Sequence, residues 1–349
     1  MDALQFVPIL VVGFATALGM TPLSRAIALR LGVVDKPNQR KIHLDNKPMM
    51  GGLAIYVGFA VTMLLFSPPS YLVELGALLC GVTFLAIVGL VDDRYTLGIK
   101  SKMLAEIIAT LVLIAAGIHI QLFSIPLLDY LLTIIWVVAL TTAVNFLDNM
   151  DGLAAGLSGI AAGFFTLIAF NEGLSLGSSL AAALTGSAVG FLIYNFSPAS
   201  SFMGDMGALV LGFMLATLGI KLEFGTQPLN VTWMVPPLVL ALPIFDISLV
   251  VVTRLMEGRS PGQAGKDHTS HRLMSLGLSQ HWTLLVLYSA CLFFGTLGFL
   301  VSSEPPERAL LIGLGGLALL GGLFLFMMYV RRKYQSDQLL ALSAQRKRT

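Results

Sequence analysis

Eleven apolar runs dominate this chain, and all but the eighth are about 17–25 residues long, enough to cross a bilayer as a helix. They lie near 4–24, 50–66, 71–90, 103–119, 126–142, 152–170, 176–196, 206–220, 233–253, 282–301 and 309–330. Only 11% of the 349 residues are charged, 56% are hydrophobic, and mean hydropathy is +0.85. That leaves too little polar surface for a soluble domain. The expected fold is an all-α, polytopic membrane protein of about 11 transmembrane helices, with ten the alternative count. It forms one membrane-embedded unit over 1–349 that ends in a basic tail, 331–349. The eighth run is short. The ninth holds Pro236, Pro237 and Pro243, so it should be bent or broken. The first run does not read as a signal peptide, because Asp2 is its only early charge and its apolar stretch is too long.

Charge predicts the orientation. Of 21 Lys and Arg, 19 fall in alternate connections or at their membrane boundary. Arg25, Arg30, Lys36, Arg40, Lys41 and Lys47 follow the first run, and Arg94, Lys100 and Lys102 follow the third. Arg254, Arg259, Lys266 and Arg272 follow the ninth, and six more occupy the tail. Only Lys221 and Arg308 fall on the other side. Cytoplasmic loops collect Lys and Arg, so the N-terminus is expected outside and the C-terminus in the cytoplasm. Cys80 and Cys291 sit inside apolar runs and read as packing thiols, not as a disulfide or metal pair.

The acids collect on the same side. Asp92-Asp93 closes the third run, where adjacent carboxylates repel each other and meet the negative end of a helix. A nearby cation would relieve both, and Lys102 could hold a phosphate; a solvated loop is the plain alternative. Asn145, Asp148 and Asp151 are spaced by three, which places them on one face of a helical turn. Their oxygens suit a hard cation such as Mg2+. A helix cap needs one such residue, and here Asn149 makes four polar groups in seven positions. Asp205 lies between Gly204 and Gly207 before an apolar helix, an arrangement that admits a phosphate close to the backbone. Asn195 and Phe202 precede it and could supply an amide and a stacking ring. His268, His271 and Arg272 follow Lys266-Asp267 in a loop suited to phosphate oxygens. Asp246, eight residues before Arg254, is either interfacial or the partner of a lysine or histidine of the site. Walker and zincin motifs are missing. Carboxylates for a metal, cations for phosphates and a membrane together point to phosphoryl transfer involving a lipid.

The ordered motifs Arg40-Lys-Ile-His43 with Pro48 to Gly52, Gly89-Leu-Val-Asp-Asp93, Asn145 to Gly152, Phe202-Met-Gly-Asp205, Pro243-Ile-Phe-Asp246 and the loop ending Arg272-Leu273 resemble the polyprenyl-phosphate N-acetylhexosamine-1-phosphate transferases. The resemblance runs from about Asp35 to Ser279. It implies a bacterial inner-membrane enzyme with its site facing the cytoplasm. Its partners would be a UDP-N-acetylhexosamine, undecaprenyl phosphate and membrane lipids, with a homodimer common in the family and no nucleic acid. The cofactor implied is Mg2+, with Mn2+ able to substitute. By the same resemblance Asp92, Asp93 and Lys102 are catalytic beside the lipid phosphate, and Asp205 with Asn145 holds the metal. Asp148, Asp151, Asn195 and Phe202 serve the nucleotide, and His268, His271 and Arg272 the diphosphate or sugar. The Arg40 motif, the Arg272-Leu273 ending and the helix count resemble the GlcNAc-1-phosphate branch. The muramoyl-pentapeptide branch is the alternative, and it usually carries three consecutive histidines. The chain departs from the common His-x-His-His-Arg pattern at Ser270. An anion transporter and a non-catalytic lipid-binding scaffold are the readings from other classes. Transporters place binding groups near the bilayer midplane on paired repeats, whereas these acids lie at run ends on one side.

Overall fold

A computed structural model describes residues 6–35, 47–67, 69–222, 229–263 and 265–346, with side chains through Arg331 apart from Asn230. The Arg40 to His43 motif lies outside the described residues. The chain is nearly all helix. The exception is a two-residue antiparallel pair, β1 (Val34–Asp35) with β2 (Lys47–Pro48), in register Val34 to Pro48.

Each apolar run forms helix, because a backbone in lipid must satisfy its own hydrogen bonds. The order is α1 (Val7–Leu31), α2 (Gly51–Phe66), α3 (Leu72–Tyr95), α4 (Ile99–Ala115), α5 (Pro126–Leu147), α6 (Leu153–Asn171), α7 (Ser175–Asn195) and α8 (Gly204–Lys221). The proline-rich ninth run breaks, as its composition requires, into α9 (Leu229–Thr232), α10 (Val235–Val239) and α11 (Ala241–Met256). A short helix, α12 (Thr269–Ser275), precedes α13 (Gln280–Ser303) and α14 (Pro306–Arg346). Eight of these helices are long and apolar enough to cross a membrane, and α2 is a shorter apolar helix. Helix α4 begins four residues before its apolar run, so Lys100 and Lys102 lie within it.

Helix α8 forms the centre, with 83% of its apolar window buried, whereas α14 is peripheral at 17%. Close approach to α8 depends on glycine: a Cβ on Gly89 of α3 would lie 2.4 Å from Met206 Cα. The stretch before α8 is fixed by the start of α2. Gly51 N–H donates to Phe202 O at 2.9 Å, Gly52 N–H to Met203 O at 2.8 Å, and Phe202 N–H to Pro48 O at 2.9 Å. The N-terminal end of α8 therefore sits in a fixed frame between α2 and α3. Cys291 is buried and Cys80 is exposed on α3; both are free thiols, and only Cys291 packs in the core.

Candidate active site

The site gathers at one end of the bundle, where α3, α5 and α7 finish and α4, α6 and α8 begin. Its centre is Lys102. The ammonium lies 2.7 Å from Asp92 Oδ2 and 2.8 Å from Asp205 Oδ2. Asn145 Nδ2 donates to Asp205 Oδ1 at 2.9 Å. Four helices thus deliver groups to one point: Asp92 and Asp93 from α3, Lys102 from α4, Asn145 from α5 and Asp205 from α8.

The two adjacent acids do different things. Asp92 is buried; its Oδ1 accepts the Leu97 N–H and its Oδ2 faces Lys102. Asp93 turns to α8, accepting Asp205 N–H at 2.7 Å on Oδ1 and Met206 N–H at 3.3 Å on Oδ2. It caps α8 at the residue that carries Asp205. Gly204 permits this with φ +73°, since a Cβ there would stand 2.5 Å from Asp93 Oδ2.

Asn195 and Asp151 fasten a neighbouring turn. Asn195 Oδ1 accepts Gly152 N–H at 3.1 Å, and its Nδ2 donates to Ser201 O at 3.0 Å. Asp151 Oδ2 accepts Ala199 N–H at 2.9 Å. Tyr288 adds a bond to Gly152 O at 2.6 Å. Asp148 has no side-chain hydrogen bond among the described residues. Burial first, then the charges of Asp205 and Asp151, pushes its carboxyl up to about 7.

The histidine loop docks against the same end. His268 Nδ1 lies 2.8 Å from Asp246 Oδ2, and Thr269 N–H donates to Asp246 Oδ1 at 2.6 Å. The His268 ring stands edge-on to Phe146, with centroids 5.9 Å apart. Ser270 Oγ donates to Asn149 Oδ1 at 2.7 Å, tying α12 to the turn between α5 and α6. Arg272 is turned away from the carboxylates. It donates to Asp267 O at 2.8 Å, Met327 O at 3.2 Å and Thr253 Oγ1 at 2.9 Å. Burial, reinforced by the charge of Arg331, lowers its guanidinium to about 10, so it stays charged at neutral pH. His271 has a ring contact with His268 and no side-chain hydrogen bond among the described residues. Burial, then its neighbours His268 and Lys266, depress it below the ordinary imidazole range, which favours the neutral ring.

Two participants, Arg254 and Glu106, lie outside the motifs, and Asn149 within one has a partner that the motif does not show. Arg254 is fully buried, donating to Asp267 Oδ2 at 2.9 Å with its guanidinium 5.6 Å from the Phe146 ring. Burial would raise the Asp267 carboxyl, but Arg254 and Arg259 more than offset this and hold it below the usual range. Glu106, one turn after Lys102, is buried, and among the described residues its side chain's one hydrogen bond is from Thr142 Oγ1 at 3.3 Å. Asn149, one of the four polar groups of its motif, receives α12 through Ser270. An acid inside an apolar run is the signal that marks Glu106 beforehand; Arg254, just past the end of its run, carries no such mark.

Among the described residues no three His, Cys, Asp or Glu side chains form a metal cage. Mg2+ does not require one, because it keeps waters and often takes one or two carboxylates plus substrate phosphates. Asp205, 31% exposed in a cluster richer in acid than in cation, fits that donor set.

Known proteins place this geometry in a family. The model of glycosyl transferase family 4 matches residues 75–223, the stretch that holds the acids and Lys102. A probable undecaprenyl-phosphate N-acetylglucosaminyl 1-phosphate transferase of Bacillus subtilis is 34% identical, covering 88% of each chain. A decaprenyl-phosphate N-acetylglucosaminephosphotransferase of Mycolicibacterium smegmatis is 31% identical over 83% of this chain and 80% of its own. An undecaprenyl-phosphate alpha-N-acetylglucosaminyl 1-phosphate transferase of Yersinia pestis is 25% identical over 79% and 80%. The chain therefore belongs to glycosyl transferase family 4, in the branch of the polyprenyl-phosphate N-acetylglucosamine-1-phosphate transferases.

Proposed function

We propose that this enzyme transfers GlcNAc-1-phosphate from UDP-GlcNAc to undecaprenyl phosphate and releases UMP. The observation that carries the reading is the Lys102 ammonium held between Asp92 and Asp205, with Asn145 alongside, at the polar end of a lipid-facing bundle. An anion entering there meets a fixed cation, while the prenyl chain stays among the helices. The relatives' names favour GlcNAc over the muramoyl-pentapeptide alternative.

An oxygen of the lipid phosphate attacks the β-phosphorus of the nucleotide sugar, and the bond from that phosphorus to the UMP oxygen breaks. A phosphate monoester with a second pKa of about 6 is largely ionised at pH 7, so positioning matters more than a strong base. Lys102 draws the phosphate in, and Asp92 holds Lys102 there. Asp93, as the cap of α8, sets the direction of Asp205. Asp205, with Asn145, would hold Mg2+, which supplies charge neutralisation on the diphosphate. Asp148 and His271 are free to meet ligand, and Phe202 would stack on the base. Asp151 and Asn195 build the turn that receives the nucleotide.

The orientation proposed has this end in the cytoplasm, with all eleven apolar runs crossing. The two basic residues on the opposite side support it, because each is neutralised. Lys221 pairs with Glu74 at 2.6 Å and Arg308 with Glu304 at 3.5 Å. The deciding experiment incubates purified protein with undecaprenyl phosphate, Mg2+ and a panel of UDP-sugars, then identifies the lipid product by mass. UMP release with UDP-GlcNAc and a product heavier by GlcNAc-1-phosphate is expected. Release with UDP-MurNAc-pentapeptide alone would refute the sugar assignment.

A further inference from the structure

Asp246 lies within α11 and is 1% exposed, in an apolar segment where a lone carboxylate is costly. Nothing in the transfer proposed above uses it. Both of its oxygens are nevertheless occupied: Oδ2 faces His268 Nδ1 at 2.8 Å, and Oδ1 accepts Thr269 N–H at 2.6 Å. A carboxylate can only accept hydrogen bonds, so the hydrogen between them belongs to Nδ1. That fixes the ring's orientation and leaves Nε2 as the nitrogen free for a ligand. Phe146 backs the ring at 5.9 Å, and it directly follows Asn145, which bonds to Asp205. His268 is therefore held against the helix end that carries part of the central cluster.

We propose that Asp246 is a positioning residue that holds His268 with the Nε2 lone pair presented to a hydroxyl or the acetamido N–H of the nucleotide sugar's hexosamine. The proposal rests on the reading of His268 as a ligand of the nucleotide sugar. Recognition here differs from that at Lys102: a clamped ring nitrogen accepts one directional hydrogen bond, whereas the Lys102 ammonium attracts by charge. Arg272 complements this one turn further along α12. By bonding Thr253, Met327 and Asp267 it holds the short helix in place.

Asp246→Asn separates positioning from support of the fold. The carboxamide keeps an oxygen for Thr269 N–H but offers an N–H to Nδ1, so the ring hydrogen must move to Nε2. Nitrogen-15 NMR of histidine-labelled protein in detergent reads this directly, with the His268 signals assigned through His268→Gln. The hydrogen is expected on Nδ1 in the wild type and on Nε2 in Asp246→Asn. We expect Asp246→Asn to lower kcat/KM for UDP-GlcNAc about 30-fold or more, with KM for undecaprenyl phosphate unchanged. Made on top of His268→Ala, the same change should cost less than about three-fold. Equal losses in both backgrounds would mean that Asp246 serves only the fold, and the proposal falls. If His268→Ala alone has wild-type kcat/KM, the reading of His268 as a ligand of the nucleotide sugar fails instead. Should Asp246→Asn not fold, two changes at His268 decide the matter. Gln reaches the Nε2 position and Asn the Nδ1 position, so Gln should retain about ten-fold more activity than Asn. Equal activity would overturn the proposal.

Discussion

Lys102→Met tests the centre of the site most directly, since it keeps the side chain's length and removes its charge. The ammonium now sits 2.7 Å from Asp92 and 2.8 Å from Asp205. A unit-charge pair at ~4 Å and an effective dielectric of ~20 is worth about 4 kcal/mol. Asp205 is 31% exposed and Lys102 23%, so solvent screens that pair; Asp92 is 4% exposed and its pair keeps most of its strength. Removing one partner of a buried pair costs about 3–5 kcal/mol, and the Leu97 N–H left on Asp92 holds the expected stability loss near the lower bound. Activity should suffer more. A lost charged contact to phosphate is worth ~2–5 kcal/mol, so kcat/KM should fall on the order of 30-fold to several thousand-fold. UMP release under varied undecaprenyl phosphate measures it, and calorimetry with UMP reports whether the nucleotide pocket survives. Lys102→Arg keeps the charge in a planar fork that does not match one ammonium shared by two carboxylates, and should recover only part of the loss. Activity of Lys102→Met within about three-fold of wild type, with folding intact, would refute Lys102 as the phosphate anchor.

Four further outcomes are expected. Chelator should abolish transfer, Mg2+ or Mn2+ should restore it, and Asp205→Asn should lose nearly all activity, with at most a weak recovery at raised Mg2+; wild-type activity of that variant at limiting Mg2+ would remove Asp205 from the metal site. With its carboxyl raised to about 7, Asp148 is protonated at pH 6 and its burial destabilises the fold as pH rises from about 4 to 7. Cation binding beside it should therefore release a proton at pH 6 and none at pH 9, read by calorimetry in buffers of different ionisation enthalpy and lost in Asp148→Asn. Cysteines at the exposed Ser303 and Ser275, in a background lacking Cys80 and Cys291, should label from outside intact cells and only after lysis, respectively; the reverse result would invert the orientation. Ser270→His, the commoner family residue, enters a position 1% exposed and breaks the bond to Asn149, so a loss of about 1–3 kcal/mol in stability is expected by thermal unfolding.

Much of the architecture is legible in the sequence, because lipid permits so few structures. Apolar runs must be helices, and three prolines must break the ninth. Hydropathy misses the start of α4, where Lys100 and Lys102 sit inside a helix that an apolar window begins at 103. It also misses β1 and β2, too short to carry a period. The acids are legible because carboxylates stand out against an apolar background. Their division of labour is not. Adjacent residues on a helix point about 100° apart, so Asp92-Asp93 reads as one motif while the fold turns one carboxylate to α4 and the other to α8. Similarly, Asp246 and His268 are 22 positions apart on separate helices, and only tertiary packing makes them a pair.

The same distinction separates the groups that hold the site from those left to work in it. Asp93, Asp151, Asn195, Asp246 and Arg272 all spend their polar atoms on protein. Asp148 and His271 spend none on hydrogen bonds within the described chain, and Asp205 is partly exposed. A site for two phosphate-bearing substrates requires this arrangement. Uncommitted charges at a membrane surface would collapse onto one another or onto lipid headgroups unless their helices were pinned, and each pin must itself be polar because it anchors helix ends whose amides are unpaired. Motif residues therefore include both chemistry and scaffolding. Substituting a scaffold residue and substituting a reacting residue both abolish activity, so activity alone does not separate them. The fold separates them by partner. Where a carboxylate's acceptors are filled by backbone amides, as in Asp93, its loss should appear as a misplaced Asp205 and a raised metal requirement, whereas loss of Lys102 should appear as weakened use of the lipid phosphate at any metal concentration.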